Sequence, residues 1–279
     1  MDKNWDIQLI NCTVGYGENV VLHDITATLP AGRISVILGG SGCGKSTLLR
    51  HIVGLARPIS GRIIVGGRDI FAIPEKTFRR IRRRMGVLFQ DGALLGALTV
   101  AENVGLPLRE HTTLPQNVVD EAALHRLSMV GLEGFGGYYP TELSGGMRKR
   151  AGLARALVTD PPILLCDEPT SGLDPISAVQ MDTLLLDMKN KFPDMTIVVV
   201  SHDLASVATI ADHVLVLHDR HLLFSGSKEA LYASDDPYLR QFLERKATEE
   251  TASTQQQELS EHTRKAVREA LDSWFDRGS

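Results

Sequence analysis

Three short stretches of this chain carry side chains at spacings suited to chemistry on phosphate. The first is Gly39-Gly40-Ser41-Gly42-Cys43-Gly44-Lys45-Ser46, which fits the pattern G-x-x-x-x-G-K-[ST]. Glycines let backbone N–H groups turn inward around phosphate oxygens, and a helix starting there aims its positive end at the same anion. In this pattern the Lys45 ammonium is placed for the β- and γ-phosphates and the Ser46 hydroxyl for Mg²⁺. A glycine-rich turn with an incidental lysine is the bland alternative. The apolar run Ile34 to Leu38 before the loop and the helical pattern Lys45 to Gly54 after it weigh against that.

The second stretch is Asp167-Glu168, which ends the apolar run Ile163-Leu164-Leu165-Cys166. Acids at the C-terminal end of a parallel strand sit where ligands bind in such sheets. Asp167 is expected to hold Mg²⁺ through water, and Glu168 to act as the general base on an attacking water. An isolated pair of this kind is more often a solvated strand end. The functional reading rests on the phosphate loop, expected on a neighbouring strand.

The third is Leu143-Ser144-Gly145-Gly146-Met147, ahead of the helical run RKRAGLARALV. Ser144 suits an N-cap, and two glycines let an anion approach the helix start. Read alone, this is equally an ordinary capped helix. With one loop already wrapping the phosphates, a second anion site makes sense as half of a composite site. Ser144 of one copy would face the nucleotide held by Lys45 of another, in a head-to-tail pair with two-fold symmetry.

These loops need a scaffold. Continuous apolar runs at Ile34–Leu38, Ile163–Cys166, Thr196–Val200 and Val214–Leu217 read as buried strands, separated by helical patterns near 175–190 and 203–211. That alternation predicts a parallel sheet covered on both faces. Residues 5–29 read as short strands with a turn at Gly15-Tyr16-Gly17, and Ile63–Val65 and Met85–Phe89 as further strands. Glu75–Arg84 reads as a basic helix, and the pattern is helical from Val100 to about Asp160. Near Lys246 the composition changes: residues 246–260 hold one Leu and no aromatic residue, a solvated linker. Beyond it, Val267, Leu271, Trp274 and Phe275 fall at helical spacing, predicting an amphipathic C-terminal helix over 261–279. No internal repeat is visible, so the chain holds one nucleotide-binding unit.

Charge and composition exclude some classes. The 30 basic residues against 34 acidic ones leave a net charge of -4, without the basic surplus of a protein whose ligand is nucleic acid. The run Arg79-Arg80-Ile81-Arg82-Arg83-Arg84 accordingly reads as a solvated helix face before a nucleic-acid or lipid patch. No apolar run approaches the roughly 18 residues of a membrane span, and the first residues do not resemble a signal peptide. A cytosolic or peripheral protein is expected. Cys12, Cys43 and Cys166 lie far from any zinc or CxxC spacing, so neither a disulfide nor a sulfur-bound metal is expected.

Taken in order, these stretches resemble the ATP-binding cassette family over roughly residues 7–245. Gly39 to Thr47 match its Walker A motif, Gln90 its Q-loop, Leu143 to Met147 its signature and Ile163 to Glu168 its Walker B motif. Ser171-Gly172-Leu173-Asp174 match its D-loop, and His202 its switch histidine. The resemblance implies an α/β fold of the P-loop NTPase type: a RecA-like core with a parallel sheet, an antiparallel β subdomain and a helical subdomain at about 91–160. It implies ATP as substrate with Mg²⁺ bound by Ser46, Gln90 and Asp167, and nucleotide contacts from Gly39 through Thr47. Tyr16 would stack on adenine, Gln90 would relay nucleotide state to a membrane partner, and His202 would touch the γ-phosphate and orient Glu168. Met147 departs from the usual signature, which has Gln there. The phosphate-facing atoms come from Ser144, Gly145 and Gly146, so the ATP sandwich should survive.

LSGGM followed by Arg148-Lys149-Arg150, with FQDGAL and ENVGLPLREHT, is similar to the ATPases of the Mla system and their toluene-tolerance relatives. Those transporters move phospholipid between the two membranes of Gram-negative bacteria and maintain outer-membrane lipid asymmetry. The likeness implies a second copy of this chain, an MlaE-like permease, an MlaD-like periplasmic MCE-domain protein and an MlaB-like STAS-domain protein. It also implies a site on the cytoplasmic face of the inner membrane. Other cargo, such as amino acids or hydrophobic solvents, stays open. A soluble cassette ATPase of translation or DNA repair is disfavoured by the lack of a second cassette or a long coiled-coil insertion. A non-catalytic cassette is disfavoured by intact Lys45, Glu168 and His202.

Overall fold

Ile34–Gly39 is buried at every position, as are Ile163–Asp167 and Thr196–Ser201. Strands covered on both faces show no alternation. The computed structural model describes residues 4–244, so the linker expected over 246–260 and the helix expected over 261–279 lie outside the described residues. The chain divides into two units, Met1–Ala233 and Ser234–Ser279.

In chain order the first unit holds β1 (Ile7–Tyr16), β2 (Asn19–Leu29), β3 (Ile34–Gly39), α1 (Lys45–Val53), β4 (Ser60–Val65), β5 (Arg68–Asp69), α2 (Glu75–Arg82) and β6 (Met85–Leu88). Then come α3 (Val100–His111), α4 (Gln116–Met129), a 3-10 turn at Pro140–Glu142, α5 (Gly145–Leu157), β7 (Ile163–Asp167) and α6 (Pro175–Lys191). It ends with β8 (Thr196–Ser201), α7 (Leu204–Ile210), β9 (His213–His218), β10 (His221–Ser227) and α8 (Lys228–Tyr232). In the second unit, α9 (Pro237–Leu243) is capped by Asp236, whose carboxylate accepts from the Leu239 N–H at 3.0 Å.

Two sheets result. One is antiparallel, in the order β2-β1-β4-β5. The other runs β10-β9-β3-β8-β7-β6, with β9, β3, β8, β7 and β6 parallel and β10 antiparallel at the edge. Leu48, Leu49 and Ile52 of α1 join the sheets into one core, with Ile37, Leu165 and Val198 on one side and Ile7, Leu9 and Ile63 on the other.

Two expectations need correction. β7 is not the neighbour of β3, because the crossover through α6 lays β8 between them, with Val200 paired to both Ile37 and Asp167. The first turn also falls later than Gly15-Tyr16-Gly17. Tyr16 pairs with Asn19, leaving Gly17-Glu18 as a two-residue connection in which Gly17 takes φ +58°. Two-residue hairpin loops need such positive φ.

Between β6 and β7 the chain is helical, interrupted by the loop and 3-10 turn that precede α5. Thr99 caps α3 in a reciprocal box with Glu102. Fully buried Asn103 donates to the carbonyls of Leu95, Leu98 and Thr99 and accepts from the Leu95 N–H. That is nearly the full capacity of an amide, so one side chain sets the loop entering α3. On α2, Phe78 and Ile81 face inward while Arg79 and Arg80 lie exposed, as do Arg83 and Arg84 in the turn that follows.

Candidate nucleotide site

The phosphate loop starts where β3 ends and closes where α1 begins. A Cβ on Gly39 would come within 2.5 Å of the Leu217 carbonyl oxygen, so no side chain fits there. Gly44, the N-cap of α1, has φ +101°, and a Cβ there would come within 2.8 Å of Val21 Cγ1. Lys45 is buried, and its ammonium donates to the carbonyls of Gly39 and Gly40, each at 2.8 Å. The positive charge is thus held directly over the loop backbone.

Strand register brings the acids to the same end of the sheet. The Ser46 hydroxyl donates to Asp167 Oδ1 at 2.7 Å. Glu168 is buried and has φ +51°, a left-handed conformation that is uncommon outside glycine. Its N–H donates to the Val200 carbonyl at 3.0 Å. Its Oε2 lies 2.7 Å from His202 Nδ1 and its Oε1 3.9 Å from Lys45 Nζ. Lys45, Ser46, Asp167, Glu168 and His202 therefore converge from the C-terminal ends of β3, β7 and β8. Buried charges are tolerable when paired this way.

The other expected site residues stand apart within one chain. Tyr16 is half exposed, its ring 6.0 Å from that of His51 and tilted by 49°. Gln90 is exposed in the loop after β6, and its side chain has no hydrogen-bond partner among the described residues. Ser144 caps α5, accepting from the Met147 N–H at 3.2 Å, with exposed Gly145 and half-buried Gly146 in the first turn. Asp174 caps α6, accepting from the N–H groups of Ile176 and Ser177. Ser177, through its side chain and its N–H, holds the Asp174 carboxyl below the usual range. None of these four bonds to Lys45, Asp167 or Glu168.

Three residues escaped the sequence reading. Lys149 is buried in α5 and donates to the carbonyls of Glu168 and Ser171. Arg155, whose charge is disfavoured by burial, donates to the carbonyls of Gly92 and Ala93 and so holds the loop that carries Gln90. Fully buried His51 sits under Tyr16, with Nδ1 2.8 Å from the Thr47 carbonyl oxygen. Lys149 belongs to the basic triplet Arg148-Lys149-Arg150, which enters the sequence reading only as part of a family resemblance. The spacing of Thr47 and His51 at one helical turn was the only local signal for the third.

A family model described as ABC transporter matches residues 22–171. The chain belongs to the ABC transporter family. It is 45% identical over 237 residues to "Probable ribonucleotide transport ATP-binding protein mkl" of Mycobacterium tuberculosis, covering 85% of this chain and 66% of that one. The cassette thus spans just under two thirds of the mycobacterial relative. It is also 42% identical over 228 residues to "Intermembrane phospholipid transport system ATP-binding protein MlaF" of Escherichia coli, covering 82% of this chain and 84% of that one. Among solved structures, a dimeric, post-hydrolysis form of "the ATP-binding cassette MJ0796 bound to ADP and Pi" superposes with TM-score 0.72 at 31% identity. That match covers 79% of this chain and 98% of the other. The cassette cbiO1 of Clostridium perfringens, part of an ABC transporter complex, matches with TM-score 0.74 at 28% identity over 86% of this chain and 95% of that one. The expected P-loop NTPase core, with its parallel sheet and antiparallel β sheet, is the fold observed.

Proposed function

We propose that two copies of this cassette sandwich two ATP molecules, hydrolyse them, and drive a membrane permease that moves phospholipid between the inner and outer membranes. The observation that carries the ATPase reading is the convergence of the Lys45 ammonium, the Ser46–Asp167 pair and the Glu168–His202 pair at one end of the parallel sheet. Gly39 through Gly44 offer backbone N–H groups to the phosphates, with Ser41, Cys43 and Thr47 completing the contact surface. Lys45 exchanges its two carbonyl partners for phosphate oxygens. A hydroxyl and a carboxylate oxygen 2.7 Å apart are hard donors that fit Mg²⁺, with Gln90 as a further oxygen ligand. When bound, that ion neutralises charge between the β- and γ-phosphates.

Glu168 takes a proton from water as the water oxygen bonds to the γ-phosphorus, and the bond to the β–γ bridging oxygen breaks to release ADP and phosphate. His202 holds the Glu168 carboxylate in place and reaches the γ-phosphate. Ser144, Gly145 and Gly146 face the nucleotide of the other copy, with Asp174 beside that interface. Tyr16 stacks on adenine. The cassette spans residues 1–245, with residues 91–160 as its helical part, and Gln90 reports nucleotide state to the permease.

No helix among the described residues is long and apolar enough to cross a membrane. In this reading the chain is held at the cytoplasmic face of the inner membrane by an MlaE-like permease, with an MlaD-like MCE-domain protein and an MlaB-like STAS-domain protein in the complex. The likeness to MlaF supports the phospholipid cargo. The likeness to Mkl, whose name states ribonucleotide transport, supports a second reading. Reconstitution of the assembled complex in vesicles separates them. MgATP-dependent transfer of labelled phospholipid is expected. Uptake of labelled ribonucleotide without phospholipid transfer would reverse the assignment.

A further inference from the structure

Lys149 is only 5% exposed, an uncommon state for a lysine, and it lies five residues beyond Ser144 on α5. Its ammonium donates to the carbonyl of Glu168 at 3.0 Å and to the carbonyl of Ser171. Those two carbonyls bracket a turn closed by the Ser171 N–H donating to the Glu168 carbonyl at 3.2 Å. The turn begins at a glutamate in the left-handed region, φ +51°, a conformation that persists only where surrounding contacts hold it. Burial lowers the proton affinity of Lys149, opposed by the charges of Asp91 and Glu168. Apart from those carbonyls the ammonium makes no hydrogen bond or ion pair among the described residues, so its contacts are to backbone and its cost of burial is offset there.

The same helix is fixed along its length. Gly152 of α5 sits so close to Gly92 that a Cβ would come within 2.9 Å of the Gly92 Cα. A Cβ on Gly146 would meet Leu173 and Ser177, just past the Glu168–Ser171 turn, only at ordinary contact distances of 3.7 and 3.9 Å. A displacement of the α5 start is therefore carried along the helix to Lys149, and through its two hydrogen bonds to the peptide that follows Glu168.

We propose that Lys149 is a positioning residue that clamps the Glu168–Ser171 backbone, tying the seating of Ser144 on one nucleotide to the aim of the general base at the other. The inference rests on the reading of Glu168 as that base. It assigns Lys149 no contact with ATP, so its loss should act on turnover and not on binding.

The test uses the permease-assembled complex. Lys149→Met keeps the apolar stem and removes the donors. Its expected result is a kcat lower by roughly tenfold to a hundredfold, the range for a small misplacement of a catalytic group, with ATP affinity and thermal midpoint near wild type. A kcat within twofold of wild type would overturn the proposal. So would a fall in kcat matched by an equal fall in ATP affinity. If Lys149→Met does not fold, Lys149→Arg and Lys149→Gln carry the test. The proposal expects Arg, which keeps the charge and several donors, to turn over faster than Gln at equal ATP affinity, and equal rates would overturn it. Glu168→Gln in the same complex separates the two levels. If it is inactive while Lys149→Met runs at full speed, only the clamp fails. If Glu168→Gln itself turns over normally, the general-base reading fails and the clamp falls with it.

Discussion

Replacing Glu168 by Gln exchanges one buried carboxylate oxygen for an amide nitrogen and leaves the side-chain volume unchanged. The amide retains a hydrogen bond to His202 Nδ1, now 2.7 Å from Oε2, because an amide can donate or accept. What is lost is the proton acceptor. General-base catalysis contributes about a hundredfold to ten-thousandfold in rate, which is about 3–5 kcal/mol of barrier. Binding should move the other way. The Glu168 carboxylate lies 3.9 Å from Lys45 Nζ and competes for the ammonium that the phosphates need. Two unit charges at that spacing interact by about 4 kcal/mol at an effective dielectric constant of 20, so removing one does not weaken ATP binding. Phosphate release by the permease-assembled complex across a MgATP titration, with equilibrium ATP binding measured in parallel, checks both halves. Turnover within fivefold of wild type would refute the base assignment. An ATP affinity lowered by more than tenfold would refute the electrostatic reasoning.

Mixed pairs test the composite site: one Lys45→Ala chain with one Ser144→Arg chain places both lesions on one nucleotide and spares the other, whereas two doubly altered chains lose both. Equal ATP occupancy in the two arrangements would refute contact in trans. Cys43 is a half-buried thiol inside the phosphate loop, whereas Cys12 and Cys166 are fully buried in strands and burial raises both of their thiols. A maleimide should label Cys43 first and inactivate the ATPase, with MgATP protecting it; equal labelling with and without MgATP would count against this. Asp182 is buried, and desolvation raises its carboxyl while the Ser206 hydroxyl, donating at 2.8 Å, opposes the shift. Its folded-state pKa lies above the unfolded one, so wild-type stability falls as pH rises through that window and the penalty is full at neutral pH. Asp182→Asn should therefore stabilise the fold at pH 7 relative to wild type, and by less toward pH 4. Urea unfolding at both pH values measures it, and an Asn variant less stable at pH 7 would contradict the sign.

The phosphate loop, the acid pair after Ile163–Cys166 and the capped start of α5 were legible because each is a contiguous piece of backbone. A glycine run turns where it stands, an unbroken apolar run is a strand buried on both faces, and Ser before two glycines caps a helix whatever surrounds it. The placement of Ser46 against Asp167, 121 residues apart, depends instead on strand order. That order puts β8 between β3 and β7, since adjacency follows from how the α6 crossover packs and not from the composition of either strand. Tyr16 extended β1 where a turn was expected, because pairing with Asn19 outweighed the two flanking glycines. Lys149 and Arg155 carried no signal of their roles, because charge within a helical run does not say which way a side chain turns. Only the packed structure supplies the carbonyls of Glu168, Ser171, Gly92 and Ala93 that let a lysine and an arginine turn inward. The chain's chemistry was thus written locally, and its alignment was decided by long-range contacts between polar groups that no periodicity records.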